Sequence, residues 1–314
     1  MPITECSTSP AKPVIDVPFH RIARCLPNYR WWRPLTSAVT ALMVFCVLLL
    51  AAVAVLVIAG IFMPAVSTTV DRALSTDADL REPGQLAFLL GTVCLLWPAA
   101  ALGVRWGGGR PIGTLSSISG RLRWNLFPKM LALAAVLFTI TNAASLLFPA
   151  AGGVSDSVIP VSHGPGGTWM LLVVVLAVVP VQAAAEEYVF RGLLMQTVGS
   201  WLRHPAFAIL VPVPLFVLGH DYGVVGQIDV AAFAVAAGWI TWRTGGLEAA
   251  IALHVVNNVG VMGLGAAGLA DPNATDVPWA ALPFSLAFLL AYSLIASRRF
   301  SVPVAPATRY LASA

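Results

Sequence analysis

Long apolar runs broken by short polar stretches dominate the chain from residue 38 onward. An α-helix crosses the roughly 30 Å hydrocarbon core of a bilayer in about 20 residues, at about 1.5 Å each. Eight apolar runs are candidate spans, at about 38–62, 86–104, 127–148, 168–198, 205–220, 228–243, 247–266 and 277–297. Pro212 and Pro214 interrupt the fifth and predict a kinked or displaced helix there. The pattern predicts an all-α, polytopic membrane protein of about eight transmembrane helices enclosing a polar intramembrane cavity.

Composition agrees. Apolar residues make up 58% of the 314 and charged ones 10%, against roughly 25% charged in a soluble domain. Three regions are expected: a cytoplasmic basic arm at 1–37, a membrane domain at 38–297 and a short cytoplasmic tail at 298–314. Arg21, Arg24, Arg30 and Arg33 with Trp31 and Trp32 read as an interfacial anchor, and the Ser-, Thr- and Pro-rich first dozen residues as disordered.

With both termini inside, 16 of the 18 Lys and Arg residues fall on the cytoplasmic side and only Arg72 and Arg81 on the other, the bias that sets orientation. The net charge of +4 is modest and follows this topology, so it does not point to a nucleic acid. Abundant Arg and Ala over Lys hint at a GC-rich bacterial genome and hence a bacterial plasma membrane. Cys6, Cys25, Cys46 and Cys94 have neither a disulfide-framework nor a zinc-ribbon spacing.

Glu186 and Glu187 stand out against this background, with Arg191 four residues after the second. An ionised side chain at mid-membrane costs at least about 2.5 kcal/mol, so two adjacent carboxylates imply a polar cavity or a structural ion-pair knot. Glu187 and Arg191 are spaced to pair on one helical face, while Glu186 points about 100° away. Glu186 is then free to act as a general base, its pKa open to being raised by desolvation.

Further polar groups follow on later spans. Phe216 and His220 close the fifth, and His254 and Asn258 lie one turn apart on the seventh. Imidazoles and amides in lipid must find partners, and one cavity shared by spans four, five and seven satisfies all of them. Asp221, Asp229 and Glu248 near span ends read as solvated loop charges, and His20, His163 and His204 as surface residues.

The order EExxxR (Glu186, Glu187, Arg191), FxxxH (Phe216, His220) and HxxxN (His254, Asn258) resembles the motifs of the CAAX protease and bacteriocin-processing family of intramembrane proteases. The resemblance covers about 168–266, which it marks as the catalytic core. It implies an endopeptidase acting on a membrane-associated peptide or protein, such as a prenylated CAAX-type tail. By similarity Glu186 is the general base, His220 and Asn258 stabilise the oxyanion, His254 orients the water, and Glu187, Arg191 and Phe216 support them.

No metal is expected to be required, although Glu186, His220 and His254 form an alternative zinc ligand set. Two other readings of a polar cavity remain open: a catalytically silent immunity or scaffold protein, and a proton-coupled transporter. Substrate identity and oligomeric state are not encoded in the motifs.

Overall fold

The computed structural model describes residues 17–75, 78–148 and 165–301. Twelve α-helices are present among them: α1 Arg33–Phe62, α2 Pro64–Ala73, α3 Pro83–Cys94, α4 Leu96–Leu102, α5 Phe127–Ser145, α6 Pro165–Glu187, α7 Met195–Trp201, α8 Pro205–Leu210, α9 Val213–Leu218, α10 Val224–Thr244, α11 Glu248–Ala266 and α12 Leu282–Phe300. No strand occurs among the described residues, only one isolated antiparallel bridge between Ser117 and Gly246. The protein is an all-α, multi-pass membrane protein.

Among the described residues, six helical segments are long and apolar enough to cross a bilayer: Arg33–Phe62, Pro83–Gly107, Phe127–Ser145, Gly167–Trp201, Val224–Thr244 and Glu248–Ala266. The expected count of eight is therefore not reproduced by length and composition. The expected fifth span is instead a short apolar stretch, Pro205–Leu218, split into α8 and α9. Pro212 and Pro214 supply no backbone N–H and clash with the preceding turn, so a straight helix cannot run through them. The expected eighth span corresponds to α12, whose last turn carries Arg298 and Arg299.

Lipid exposure shows in the surface. Leu50 on α1 is 69% exposed and Ile61 is 72% exposed, and apolar side chains crowd the outside of most long helices. Such a continuous apolar exterior suits a bilayer and not water. Inside, α11 packs against α5 and α6, α10 against α12, and α3 against α6. The largest core cluster joins Phe216, Phe233, Leu253, Phe288 and Tyr292, and the Tyr292 hydroxyl donates to Ala249 O at 2.8 Å.

The turn between α10 and α11 aims the site helix. Gly245 adopts φ 69°, the left-handed cap that suits a residue without Cβ. The loop after the short 3-10 helix Ile112–Leu115 then grips this turn, with Ile118 N donating to Gly245 O at 2.9 Å and Leu247 N to Ser116 O at 2.8 Å. Arg123 completes the grip by donating to both carboxylate oxygens of Glu248, at 3.0 and 2.6 Å.

Two expectations are corrected here. Glu248 is fully buried in that ion pair, and is not a solvated loop charge; Arg123 and its backbone N–H compensate the cost of burying it. His20 is likewise buried, because the 3-10 turn Phe19–Cys25 packs on α7 instead of lying free at the surface. Its Nε2 donates to Arg203 O at 3.2 Å. His204 caps α8 from an exposed position, and Asp229 accepts from the Ser285 hydroxyl at 2.6 Å. His163, Cys6 and the first dozen residues lie outside the described residues.

Candidate active site

The fourth crossing, Gly167–Trp201, is composite. It begins as α6, widens into a π-helix over Tyr188–Leu194 and resumes as α7. The two acids sit at the last turn of α6, where the helix loosens. Glu187 is fully buried and Glu186 is 9% exposed.

The spacing-based pairing is present. Arg191 Nη1 donates to Glu187 Oε1 at 2.8 Å, and Nη2 donates to Ala234 O at 3.2 Å. The guanidinium also lies over Phe216, its carbon 4.4 Å from the ring centroid, a cation–π contact strengthened by burial. Phe216 is thus a wall for Arg191.

His254 comes from α11 to stand between the acids. Its Nδ1 donates to Glu187 Oε1 at 2.8 Å and its Nε2 lies 3.5 Å from Glu186 Oε2. Phe233 of α10 meets the His254 ring edge to face at 4.9 Å between centroids and fixes its plane. Glu186 Oε2 is buried and has no hydrogen-bond partner among the described residues.

Asn258, one turn after His254, donates from Nδ2 to Gln182 Oε1 at 3.3 Å. Gln182 is itself buried, one turn before Glu186 on α6. Asn257 Nδ2 donates to Asn258 Oδ1 at 3.2 Å, which fixes which side of the Asn258 amide faces which neighbour.

His220 sits further off. Its Nδ1 donates to Phe216 O at 2.8 Å, and its ring stacks obliquely on Phe216 at 4.6 Å between centroids. Phe216 also contacts the His254 ring at 6.2 Å, so Phe216 is the residue through which His220 borders the cluster. Gln227 Nε2 donates to His220 O and holds the end of α9.

The structure therefore gathers Glu186, Glu187, Arg191, His254 and Phe216 directly, brings Asn258 beside them through Gln182, and leaves His220 one aromatic ring away. Among the described residues no group of three His, Cys, Asp or Glu side chains is arranged to hold a metal. Nδ1 of both His220 and His254 is engaged with an oxygen acceptor, which leaves Nε2 of each ring as the nitrogen that a metal would use.

Gln182 and Phe233 were not singled out from the sequence. Gln182 had a readable signal, an amide in an apolar helix four residues before Glu186 and so on its face. Phe233 had none, since an aromatic in an apolar helix is ordinary.

The stretch 168–260, which carries all of these side chains, matches the family model described as type II CAAX prenyl endopeptidase Rce1-like. This segment is similar to an Rce1-like domain. The resemblance drawn from the three short motifs is thereby borne out, and the Rce1-like family is a protease family. The chain is also 32% identical over 96 residues to "Uncharacterized protein YyaK" of Bacillus subtilis (strain 168), a match covering 28% of this chain and 32% of that protein. No solved structure matches the chain.

Proposed function

We propose that the protein is an intramembrane endopeptidase in which Glu186 activates water against a peptide bond of a membrane-associated protein or peptide. The observation that carries this reading is His254 set between two glutamates, of which Glu187 is paired with Arg191 and Glu186 has no cationic Lys or Arg partner among the described residues; each keeps one buried carboxylate oxygen without a hydrogen bond there. A carboxylate or carbonyl oxygen can only accept, so the hydrogen on His254 Nδ1 is committed to Glu187. In the neutral ring Nε2 is then a lone pair facing Glu186 Oε2, a second acceptor. Two acceptors turned toward one another favour a donor shared between them, and water supplies two O–H groups.

In the proposed reaction Glu186 takes a proton from water as its oxygen adds to the scissile carbonyl carbon. The carbonyl π pair moves onto oxygen, and the proton later passes to the departing amine as the C–N bond breaks. His254 orients the water. Asn258 has one amide hydrogen on Gln182, and the other is directed to the oxyanion. His220 would be a second donor from Nε2, which requires its imidazolium form because Nδ1–H is already given to Phe216 O. No step is routed through a metal.

The substrate class that fits the Rce1-like core is a prenylated CAAX-type tail, with a non-prenylated membrane peptide as the variant. The proposed setting is a bacterial plasma membrane with both termini in the cytoplasm. The test is hydrolysis of a farnesylated fluorogenic CAAX peptide and its non-prenylated counterpart by purified protein in liposomes, comparing wild type with Glu186→Gln and His254→Ala, with and without a chelator. Cleavage lost in both variants supports the reading. Peptide binding without cleavage would favour a scaffold, substrate-dependent proton flux a transporter, and cleavage lost on chelation a metal-dependent mechanism.

A further inference from the structure

A second polar site lies away from the glutamates, at the end of the bundle where the basic arm meets the turn after the span Pro83–Gly107. Arg110 is only 7% exposed, yet no carboxylate pairs with it among the described residues. Its Nη1 donates to Thr114 Oγ1 at 3.1 Å and to Gln196 Oε1, both neutral. Its Nε and Nη2 make no hydrogen bond with any described residue.

A buried guanidinium compensated only by neutral dipoles is costly, and a charge in that position is normally paired. Burial lowers Arg110 to about 10, which leaves it protonated at neutral pH.

A second cation faces the same cleft. Arg33, at the start of α1, gives one Nη1 hydrogen to Gly108 O at 3.3 Å, and no carboxylate among the described residues pairs with it. The two arginines, with Tyr29, Asn28, Ser37 and Gln196, line a cleft holding about 330 Å³ of empty space, part of it open to solvent. The backbone is shaped to bring the cations together. Gly109 adopts φ 62°, and a Cβ there would collide with the Arg33 guanidinium. Thr36 Oγ1 donates to Gly107 O at 2.8 Å and locks that turn onto α1.

The geometry points to an anion site for a phosphate group, supplied by an anionic phospholipid headgroup or by free phosphate, held between Arg33 and Arg110. Guanidinium forks match phosphate oxygens two at a time, and Asn28, which gives one amide hydrogen to Gly109 O at 3.4 Å, has a second to donate to the remainder. The surroundings are those of a bilayer interface: Trp31 and Trp106 are exposed beside the arginine arm. Gln196 lies on α7, the continuation of the helix that carries Glu186, so an occupied site would brace the far end of that crossing.

The experiment is thermal unfolding of delipidated full-length protein in detergent, titrated with phosphatidylglycerol, phosphatidylcholine of the same acyl chains, or sodium phosphate. Phosphatidylglycerol raises the midpoint of wild type and phosphatidylcholine does not. Arg33→Gln weakens the phosphatidylglycerol effect about tenfold, the loss expected for one charge-assisted contact, as does Arg110→Lys. Arg30→Gln removes one charge from the exposed arm outside the cleft and leaves the effect unchanged.

A shift with sodium phosphate as well assigns the site to the phosphate group alone, and a shift with the lipid only assigns it to the headgroup. Equal responses to the two lipids, wild-type behaviour of Arg33→Gln, or equal weakening by Arg30→Gln would overturn the proposal. Because Arg33 is partly exposed, its variant decides the matter even if Arg110→Lys does not fold.

Discussion

His254 Nδ1 and Arg191 Nη1 both donate to the same oxygen, Glu187 Oε1, each at 2.8 Å. One buried carboxylate oxygen thus sets the orientation of the imidazole and anchors the cation that stacks on Phe216. Replacing Arg191 by Met keeps much of the volume and removes the charge, leaving fully buried Glu187 with His254 alone. The expected cost is about 3–5 kcal/mol of stability, as for breaking one side of a buried ion pair. Thermal unfolding in detergent checks it, and a loss under about 1 kcal/mol would place the pair in the class of solvent-screened contacts.

Asn258→Ala removes the amide assigned to the oxyanion and is expected to lower kcat about 10²- to 10³-fold with little change in KM. Gln182→Leu leaves Asn258 in place without its partner, so it is expected to reduce kcat by a smaller factor, with Gln182→Glu, which keeps the acceptor, restoring part of it. Steady-state kinetics on a membrane peptide separate the two. Equal kcat for wild type and Asn258→Ala would remove Asn258 from the mechanism.

Arg123 and Glu248 hold the turn that aims α11, and they are 125 residues apart in sequence. Arg123→Gln is expected to destabilise the protein by about 3–5 kcal/mol, since it leaves a fully buried carboxylate without its cation. The double variant Arg123→Gln/Glu248→Gln should recover much of that loss. A double-mutant cycle on unfolding midpoints measures the coupling, and strict additivity would show that the contact contributes nothing.

His20 is held neutral by burial, its pKa lowered from 6.5 to about 4. Between these values the unfolded chain binds a proton that the folded one refuses. Stability from this residue is therefore complete above about pH 6.5 and falls away as the pH drops toward 4, by up to about 3 kcal/mol. Comparing unfolding midpoints of wild type and His20→Gln across pH 4–7 isolates the effect. Parallel curves for the two proteins would show that His20 does not titrate differently on folding.

The helical architecture was readable because lipid leaves so few alternatives: each apolar run of sufficient length had to become a helix. The break in the fifth run was also readable, since Pro212 and Pro214 forbid a straight one. At the site, spacing alone paired Glu187 with Arg191, because four residues is a local distance. It could not place Glu186 against His254, whose separation is a matter of how α6 and α11 pack. The buried state of Glu248, His20 and Arg110 was hidden for the same reason. Each depends on a partner more than 80 residues away, Arg123, Arg203 and Gln196 respectively.

The wide turn at Tyr188–Leu194 gives the fourth crossing an uneven tolerance to changes of length. A regular helix passes on the loss of one residue as a swing of about 100° to everything beyond it. Such a deletion in α6 would turn Gln196 away from Arg110 and Gly199 away from the carbonyl of His20 that it adjoins. A π-helical stretch already holds surplus chain, so trimming there can be absorbed by tightening to ordinary α winding while both flanks keep their azimuth. Among relatives that differ in length across this crossing, the gap is expected to fall between the second acid and Met195.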